Sequence, residues 1–248
     1  MPDYVWGRNP VLETLRSNRQ VKRLLMAEGQ RDAPAIAAIL EEARRRQVPV
    51  ETVPRQRLDQ FSQGAVHQGC LAVVDARKYA SLEQILDHAS QKNEDPFLLI
   101  LDAIQDVNNL GSLLRSAEAA GVHGVVIPSH EAAEVNATVI KTSAGATEHL
   151  LIAQENNITH TIDLLKKQNI WVIGLAGEAK TDYDKANLTG ALALVVGNEG
   201  KGISRLVREH CDLLIKLPMR GTINSLNAAV AGSIALYEAL RQRNSKKA

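Results

Sequence analysis

Continuous apolar runs alternate with helical patterns over the second part of the chain. Runs without polar alternation are typical of strands buried on both faces of a parallel sheet, and here they cover residues 97–101, 125–127, 171–175 and 192–196. A further strand is predicted over residues 213–217. Apolar residues at helical spacing lie between them, over residues 110–120, 136–146 and 158–168, and a long helix rich in small residues is predicted over 225–243. These alternating patterns predict an α/β fold with a doubly wound parallel sheet.

A smaller α/β unit is predicted from the first part of the chain. A helix containing Val11 and Leu15 follows Asn9-Pro10, where asparagine suits the N-cap and proline suits the first helical position. Strand patterns cover residues 22–27, 50–53 and 70–75, a helix covers 34–47, and residues 64–69 have turn-forming glycines at both ends.

A connector separates these two parts of the chain. A short helix starting near Ser81 is followed by the polar run 91–95 and by Pro96. We therefore predict a first domain over residues 1–76, a linker over 77–95 and a second domain over 96–248.

Composition and cysteine content restrict the class of protein. Hydrophobic residues make up 45% of the chain and charged residues 23%, which is typical of globular proteins. The sequence contains no apolar run long enough to span a membrane and no secretion signal, so we expect a cytoplasmic protein with no membrane partner. The two cysteines, Cys70 and Cys211, have no CxxC spacing, so neither a disulfide framework nor a metal site is predicted.

Charge is distributed unevenly along the chain. The formal net charge is +1, but residues 1–78 contain 13 Lys/Arg against 9 Asp/Glu, and the rest of the chain contains 16 against 19. A basic first part is compatible with a polyanionic partner such as RNA, and equally with two ordinary solvated surfaces. The run Arg44-Arg45-Arg46 has the same two interpretations, since cations also stabilise the C-terminus of a helix.

Three polar loops that contain glycine follow three predicted strands, at residues 104–116, 197–202 and 218–227. Because ligands bind at the carboxyl ends of the strands in a parallel sheet, we expect these loops to form the functional site. The chain has no GxGxxG, GxxxxGK[ST], HExxH or GxSxG motif, which disfavours a dinucleotide-dependent oxidoreductase on a Rossmann fold. Methyl transfer from a sulfonium donor suits these loops better, because it requires alignment and one proton transfer but neither a metal nor a covalent intermediate.

Three stretches carry a resemblance to a known family: residues 109–115 (NLGSLLR), 196–202 (VGNEGKG) and 217–227 (LPM through NSLN). They resemble the three ordered motifs of the SpoU (TrmH-like) family, in the SPOUT superfamily of RNA methyltransferases. The resemblance covers residues 97–243 closely. It extends to the first domain, which is similar to the family's ribosomal-protein-like RNA-binding domain.

The resemblance implies a homodimeric enzyme that uses S-adenosylmethionine to methylate a ribose 2′-hydroxyl of RNA. It is strongest to members that modify a guanosine of 23S ribosomal RNA. It also implies a trefoil knot in the C-terminal part of the chain, which periodicity does not predict. Two alternatives are a transfer-RNA ribose methyltransferase and a non-catalytic RNA-binding protein on the same fold.

A set of glycine and apolar residues is implied to hold the cofactor. Glycine lets a backbone approach a ligand closely, and leucine offers apolar surface to an adenine ring. The residues are Leu175, Gly177, Gly197, Gly200, Leu217, Met219 and Leu226. Without the resemblance, Leu217 and Leu226 would be taken as core residues.

Catalytic roles are implied for Asn109, Arg115, Glu199, Ser225 and Asn227. We expect Arg115 to grip the target nucleotide, because guanidinium binds phosphate with two bonds and keeps its proton; its alternative is a salt-bridged surface arginine. Glu199 is expected to orient Asn109 or Arg115, or to accept the ribose proton. Ser225 and Asn227 are expected to open the last helix, or to contact the substrate ribose, from either subunit.

One residue departs from the family pattern. Asn198 precedes Glu199 where close relatives often carry a small residue. The departure affects the expected local shape of this loop and not the predicted function.

Overall fold

The computed structural model describes residues 3–29 and 33–247 of the chain. It divides into two compact units: the first comprises Met1–Lys78 and Val135–His149, and the second comprises Tyr79–Glu134 and Leu150–Ala248. Among the described residues, no helix combines the length and the apolar character needed to cross a membrane.

The secondary structure up to residue 78 consists of β1 (Asp3–Trp6), α1 (Arg8–Arg16), β2 (Val21–Ala27), α2 (Pro34–Arg45), β3 (Val50–Val53), α3 (Arg55–Phe61) and β4 (Cys70–Val74). The elements that follow are α4 (Leu82–Gln91), β5 (Phe97–Asp102), α5 (Val107–Ala119), β6 (Gly124–Pro128), α6 (Ala137–Thr142), a 3-10 helix (Ala146–Glu148), β7 (Leu151–Glu155), α7 (Ile158–Lys167), β8 (Trp171–Leu175), β9 (Thr181–Asp182), β10 (Leu192–Gly197), α8 (Arg205–His210), β11 (Leu213–Lys216) and α9 (Ala228–Lys247).

The first unit is built on a four-stranded mixed sheet in the order β1-β4-β2-β3. Strand β4 pairs antiparallel with β1 and β2, and β3 pairs parallel with β2. Leu25, Leu58 and Leu71 form the centre of its core. The three strands and the helix predicted after α1 are all present, whereas β1 and α3 are absent from the prediction.

The first helix begins earlier than predicted. It starts at Arg8 with Gly7 as its N-cap at φ 98°, so Asn9 lies inside the helix and does not cap it. Glycine adopts this φ with little strain, which allows the sharp turn from β1 into α1.

Arg46 binds the C-terminal end of α1. Its guanidinium donates to the carbonyl oxygens of Thr14, Leu15, Ser17 and Arg19 at 2.8–3.2 Å. Carbonyls at the end of a helix have no partner within the helix, so this half-buried cation stabilises them. For Arg46, the helix-terminus interpretation of the arginine run is correct, but the helix is α1 and not its own.

The second unit contains a seven-stranded parallel sheet in the order β7-β6-β5-β10-β8-β11-β9. The central strands β5 and β10 pair from Leu192↔Phe97 to Gly197↔Asp102, and all of their residues are buried. The predicted parallel α/β sheet is therefore confirmed, and β8 has the predicted bounds. Strands β7 and β9 and helix α8 are absent from the prediction.

Small residues bring α9 into close contact with α5. A Cβ atom added at Gly232 would lie 2.5 Å from Cδ2 of Leu113, and Oγ of Ser233 donates to Oγ of Ser116 at 2.7 Å. The close packing predicted from the small residues of this helix is present.

Residues 135–149 belong to the first unit, whereas the predicted boundaries place them in the second domain. The side chain of Glu148 is 2% exposed and forms ion pairs with Arg19, at 3.3 Å, and with Arg77. His149 contacts Glu13 at 2.8 Å. A Cβ atom at Gly145 would lie 2.7 Å from that of Glu13. These long-range contacts assign the segment to the first unit, and no local pattern predicts them.

The predicted linker contains a helix that forms part of the core. Ser81 and Gln84 form a capping box at the start of α4, as the predicted helix start near Ser81 requires. Ile85 and Leu86 are buried in the core of the second unit, and a Cβ atom at Gly124 would lie 2.5 Å from Ile85. Residues 82–91 are thus a structural part of the second unit and not a free connector.

His123 is a buried histidine that directly precedes β6. Its Nδ1 accepts a hydrogen bond from the backbone N–H of Phe97 at 3.0 Å, and its Nε2 lies 3.1 Å from a carboxylate oxygen of Glu94. Burial lowers the pKa of His123 more than the Glu94 carboxylate raises it. Burial likewise lowers the pKa of His88, whose ring lies 6.1 Å away.

We expect the stability of the protein to fall as the pH is lowered through and below the usual histidine range. Both pKa values are lower in the folded state, so the unfolded state binds protons first, and the stability present near neutral pH is lost on acidification. Urea denaturation at several pH values between about 5 and 8 measures the effect. His123→Gln is expected to flatten this dependence, and His160→Gln, an exposed control, is expected to leave it unchanged. Equal slopes for His123→Gln and the wild type would contradict the assignment.

Candidate active site

Asp106 fixes the start of α5, which carries the first predicted motif. Its Oδ1 accepts hydrogen bonds from the backbone N–H groups of Asn108 and Asn109 at 2.9 and 2.8 Å. The helix begins at Val107, three residues before the predicted start, so Asn109 lies in the first turn and does not open the helix. The chain's own carboxylate therefore occupies two of the free N–H donors at this helix N-terminus.

Three of the five predicted catalytic residues are hydrogen-bonded to one another. Nδ2 of Asn109 donates to Oε1 of Glu199 at 2.8 Å, and Nδ2 of Asn227 donates to Oδ1 of Asn109 at 2.9 Å. Oδ1 of Asn227 accepts from the N–H groups of Ala229 and Val230, so Asn227 also caps α9. The oxygen and the nitrogen of each side-chain amide are both hydrogen-bonded, which fixes the orientation of the amide. The side chain of Glu199 is exposed, so a large substrate can reach its carboxylate. We call Asn109, Glu199 and Asn227 the amide–carboxylate triad.

The other two predicted catalytic residues lie outside this triad. Arg115 is exposed and makes no hydrogen bond or ion pair with any described residue, so its alternative interpretation as a salt-bridged arginine finds no support. Six residues of helix separate it from Asn109 by about 9 Å along the axis and about 120° around it. Ser225 lies in the exposed loop before α9, which starts at Ala228, so the prediction that Ser225 opens this helix is wrong.

Two adjoining cavities lie beside the triad, at the carboxyl ends of the strands. One has a volume of about 150 Å³ and is mainly apolar, with Leu175, Gly177, Leu217, Met219 and Leu226 in its wall. The other has a volume of about 370 Å³ and contains Gly197, Glu199 and Gly200 in its wall. Leu175, Asn224, Ser225, Leu226 and Ala231 line both. The structure thus brings all seven predicted cofactor residues to one place.

Glycine is required where the wall of the larger cavity meets the next loop. A Cβ atom added at Gly197 would lie 2.1 Å from the carbonyl carbon of Gly202 and from the nitrogen of Ile203. Both neighbours are backbone atoms, so they cannot move aside as a flexible side chain can. Gly197 therefore has a steric reason for its place in the site.

An ion pair holds the loop after β8 against α8. Arg208 pairs with Glu178, which lines the larger cavity, and its Nη2 donates to the carbonyl of Ile203 at 3.1 Å. The sequence prediction missed Glu178 and Asn224, which line the cavities, and Asp106, which caps α5. Asp106 had a detectable signal, an acidic residue just before a helix; the others depend on contacts between distant loops.

The two cysteines are unsuited to nucleophilic chemistry. Burial raises the pKa of both Cys70 and Cys211 to about 12. Nδ1 of His210 contacts the carbonyl of Leu206 at 2.8 Å, while Sγ of Cys211 donates to the carbonyl of Val207 at 3.3 Å. Within the described ranges, no three side chains of His, Cys, Asp or Glu are grouped so that they could hold a metal ion.

Comparison with known proteins decides the family. Residues 96–237 match the SpoU rRNA Methylase family, and residues 4–80 match a family described as RNA 2′-O ribose methyltransferase substrate binding. The chain belongs to the SpoU rRNA methylase family. The family predicted from the three motifs is therefore confirmed, and with it the enzyme class, an S-adenosylmethionine-dependent RNA 2′-O-methyltransferase.

Relatives of this SpoU methylase cover nearly its whole length. It is 46% identical to YacO of Bacillus subtilis, which is assigned to the TrmH family of tRNA/rRNA methyltransferases, over 98% of this chain and 96% of that protein. It is 41% identical to the 23S rRNA (guanosine-2′-O-)-methyltransferase RlmB of Escherichia coli, over 98% of this chain and 100% of that protein.

A solved structure in the family is also similar over nearly the whole chain. The SpoU methyltransferase AviRb from Streptomyces viridochromogenes, in complex with S-adenosylmethionine, aligns with a TM-score of 0.80 at 25% identity. The alignment covers 98% of this chain and 90% of that one.

We expect Gly197→Ala to weaken binding of S-adenosylmethionine by about fivefold to a hundredfold, because the added methyl group forces two loop backbones apart at a cost of about 1–3 kcal/mol. Titration calorimetry measures the affinity. Gly221→Ala is the matched control, since a Cβ atom there meets nothing within 4 Å. Equal affinities for the two variants would mean that this close contact does not shape the site.

Proposed function

We propose that this SpoU methylase transfers a methyl group from S-adenosylmethionine to the ribose 2′-hydroxyl of a guanosine in 23S ribosomal RNA. The observation that carries the proposal is the amide–carboxylate triad, with its exposed Glu199, beside two cavities whose walls contain all the predicted cofactor residues. The 41% identity to RlmB over the whole of that protein supports the choice of ribosomal over transfer RNA.

The cavity walls suit the two ends of the cofactor. The smaller cavity offers leucine and methionine side chains to an adenine ring, and Gly177 leaves space beside them. The larger cavity is mainly polar, in the size range of about 300–1,000 Å³ of small-molecule sites. We assign Leu175, Gly177, Gly197, Gly200, Leu217, Met219 and Leu226 to cofactor binding. When bound, S-adenosylmethionine supplies a methyl group on a positively charged sulfur.

Arg115 and the triad share the remaining chemistry in this proposal. The exposed guanidinium of Arg115 binds a phosphate of the target nucleotide and, as a fixed cation, favours the ionised form of the ribose hydroxyl. Asn109 holds the Glu199 carboxylate in one orientation, and this carboxylate accepts the proton of the hydroxyl. Ser225 contacts the substrate from the cavity edge. No metal takes part in the reaction as proposed.

We also propose that the C-terminal part of the second unit forms a trefoil knot. Strand β10 inserts between β5 and β8, β11 then lies beyond β8, and α9 returns to pack on α5. This order, with later strands on both sides of β8 and the final helix against α5, supports the proposal. Pulling the chain from both ends tests the proposal, because a tightened knot makes the extended length shorter than that of an unknotted chain of 248 residues.

The first unit binds the RNA substrate in this proposal. Its match to the substrate-binding family and its excess of basic residues support this role. The substrate places the reaction in the cytoplasm.

A homodimer is proposed from an exposed apolar stripe. Val230, Ile234 and Tyr237 follow one another at helical spacing along α9 and are 48%, 37% and 51% exposed. Leu226 lies four residues before Val230 and lines both cavities. A partner subunit that covered the stripe would therefore lie next to the site. Sedimentation is expected to show a dimer for the wild type and a monomer for Ile234→Lys. A monomeric wild type would contradict the homodimer.

A methylation assay tests the proposed function. The protein is incubated with labelled S-adenosylmethionine, in the presence of EDTA, with 23S ribosomal RNA or transfer RNA lacking the modification, and the methylated nucleotide is mapped. Labelling of a guanosine ribose in 23S RNA is expected. Labelling of transfer RNA alone would favour the transfer-RNA alternative, and absence of labelling with bound RNA would favour a non-catalytic binding protein.

A further inference from the structure

Asn198 organises the loop that carries Glu199. Its backbone exchanges two hydrogen bonds with Gly202, at 3.0 and 2.8 Å, which close a five-residue turn. Inside this turn, its Oδ1 accepts from the N–H groups of Gly200 and Lys201 at 2.9 and 3.3 Å. One side chain thus fixes both residues that follow Glu199.

The same side chain ties this loop to the end of the neighbouring strand. Nδ2 of Asn198 donates to the carbonyl oxygen of Ala103 at 2.9 Å, a contact that joins residues 95 positions apart. Ala103 has a φ of 58°, a left-handed conformation that costs alanine energy and requires support from its surroundings. Six residues after Asn198, the N–H of Ser204 donates to Oδ2 of Asp102 at 2.6 Å. The loop is therefore fastened to the end of β5 on both sides of Glu199.

Glu199 depends on this fastening for its orientation. Its carboxylate is exposed, and its hydrogen bond within the described chain is the one it accepts from Asn109 at 2.8 Å. Asn109 lies on the helix that follows β5. The loop and the helix are therefore both attached to the end of the same strand. Without the hydrogen bond to Ala103, the loop would no longer fix the distance between Asn109 and Glu199. A misplacement of about 1 Å in an active site can cost about a hundredfold in rate.

We propose that Asn198 is a positioning residue for the methyl-transfer reaction, which acts through Glu199 by holding it against Asn109. The proposal rests on the proposed function of Glu199. It predicts that Asn198 affects turnover only while Glu199 is present, because a positioning residue has no effect once the group it positions is removed.

A double-mutant cycle tests this coupling in the full-length protein. Asn198→Ser is expected to lower kcat by about tenfold to a hundredfold and to change the affinity for RNA by less than about twofold. In a Glu199→Ala background the same change is expected to have no further effect on kcat. Asn187→Ser is the control, because Asn187 also accepts from a nearby backbone N–H, that of Thr189 at 3.1 Å, but lies outside both cavities.

Additive losses of kcat in the cycle, or a wild-type kcat for Asn198→Ser, would overturn the proposal. Absence of RNA methylation by the wild type would contradict the proposed function and not the role of Asn198. A second measurement therefore tests the role of Asn198 without any methylation. In nuclear magnetic resonance spectra of the protein alone, Asn198→Ser is expected to shift the side-chain amide signals of Asn109 in the same direction as Glu199→Ala does. Unshifted Asn109 signals would show that Asn198 does not hold the triad.

Discussion

Arg115→Ala is expected to reduce kcat for RNA methylation by at least about a hundredfold, the usual loss when a group that stabilises developing charge is removed. The side chain of Arg115 is exposed and forms no hydrogen bond or ion pair with the described residues, so its removal breaks neither. It lines neither cavity. The affinity for S-adenosylmethionine is therefore expected to stay within about twofold of the wild type. Labelled-methyl assays measure kcat, and calorimetry measures the affinity.

Arg115→Lys is expected to fail as well, because an ammonium group cannot reproduce the two-bond grip of a guanidinium on phosphate. Arg205→Ala is the matched control: Arg205 is also exposed on a helix but is paired with Glu209 at 2.9 Å. A large loss of cofactor affinity in Arg115→Ala would mean that Arg115 belongs to the cofactor site and not to the RNA site.

Glu148→Ala is expected to lower the free energy of unfolding of the first unit by up to about 3–5 kcal/mol, the cost of removing one member of a buried ion pair. The carboxylate is 2% exposed, and Arg19 and Arg77 are 10% and 13% exposed. Urea denaturation measures the change. Replacing Trp171 by phenylalanine leaves Trp6, in β1, as the only tryptophan and hence as a reporter for the first unit.

Glu51→Ala provides a matched control for this second prediction. Glu51 also pairs with two arginines, Arg23 and Arg57, at 3.3 and 3.2 Å, but its side chain is 39% exposed. Water screens such pairs, so the expected loss is about 1 kcal/mol or less. Similar losses for Glu51→Ala and Glu148→Ala would show that burial does not make the Glu148 ion pairs important.

Local patterns predicted most of the second unit. Strand β8 was predicted with its observed bounds because all of its apolar residues are consecutive, and the three site loops were found because each follows such a strand. The start of α5 was predicted three residues late, because the apolar pattern begins at Leu110 while the cap at Asp106 is polar. The ends of an element depend on single hydrogen bonds, and the spacing of apolar residues does not predict these bonds.

Long-range contacts could not be predicted in the same way. The pattern of α6 shows that Val139 and Ile140 are buried, but it does not indicate which unit buries them. The bond between Asn198 and Ala103 joins two loops whose proximity depends on the order of β5 and β10 in the sheet. The seven cofactor residues were named from the family resemblance, and their roles, like those of Arg115 and Ser225, stay predictions.

The assignment of residues 135–149 to the first unit has a consequence for how this protein can evolve. Recombination that exchanged residues 1–78 for another RNA-binding module would remove Arg19 and Arg77 but keep Glu148. Such a chimera would carry an unpaired buried carboxylate, so a viable exchange must also replace or repair a distant internal segment. We therefore expect the two units of this protein to be inherited together, with substrate range changing by point substitution more readily than by module exchange.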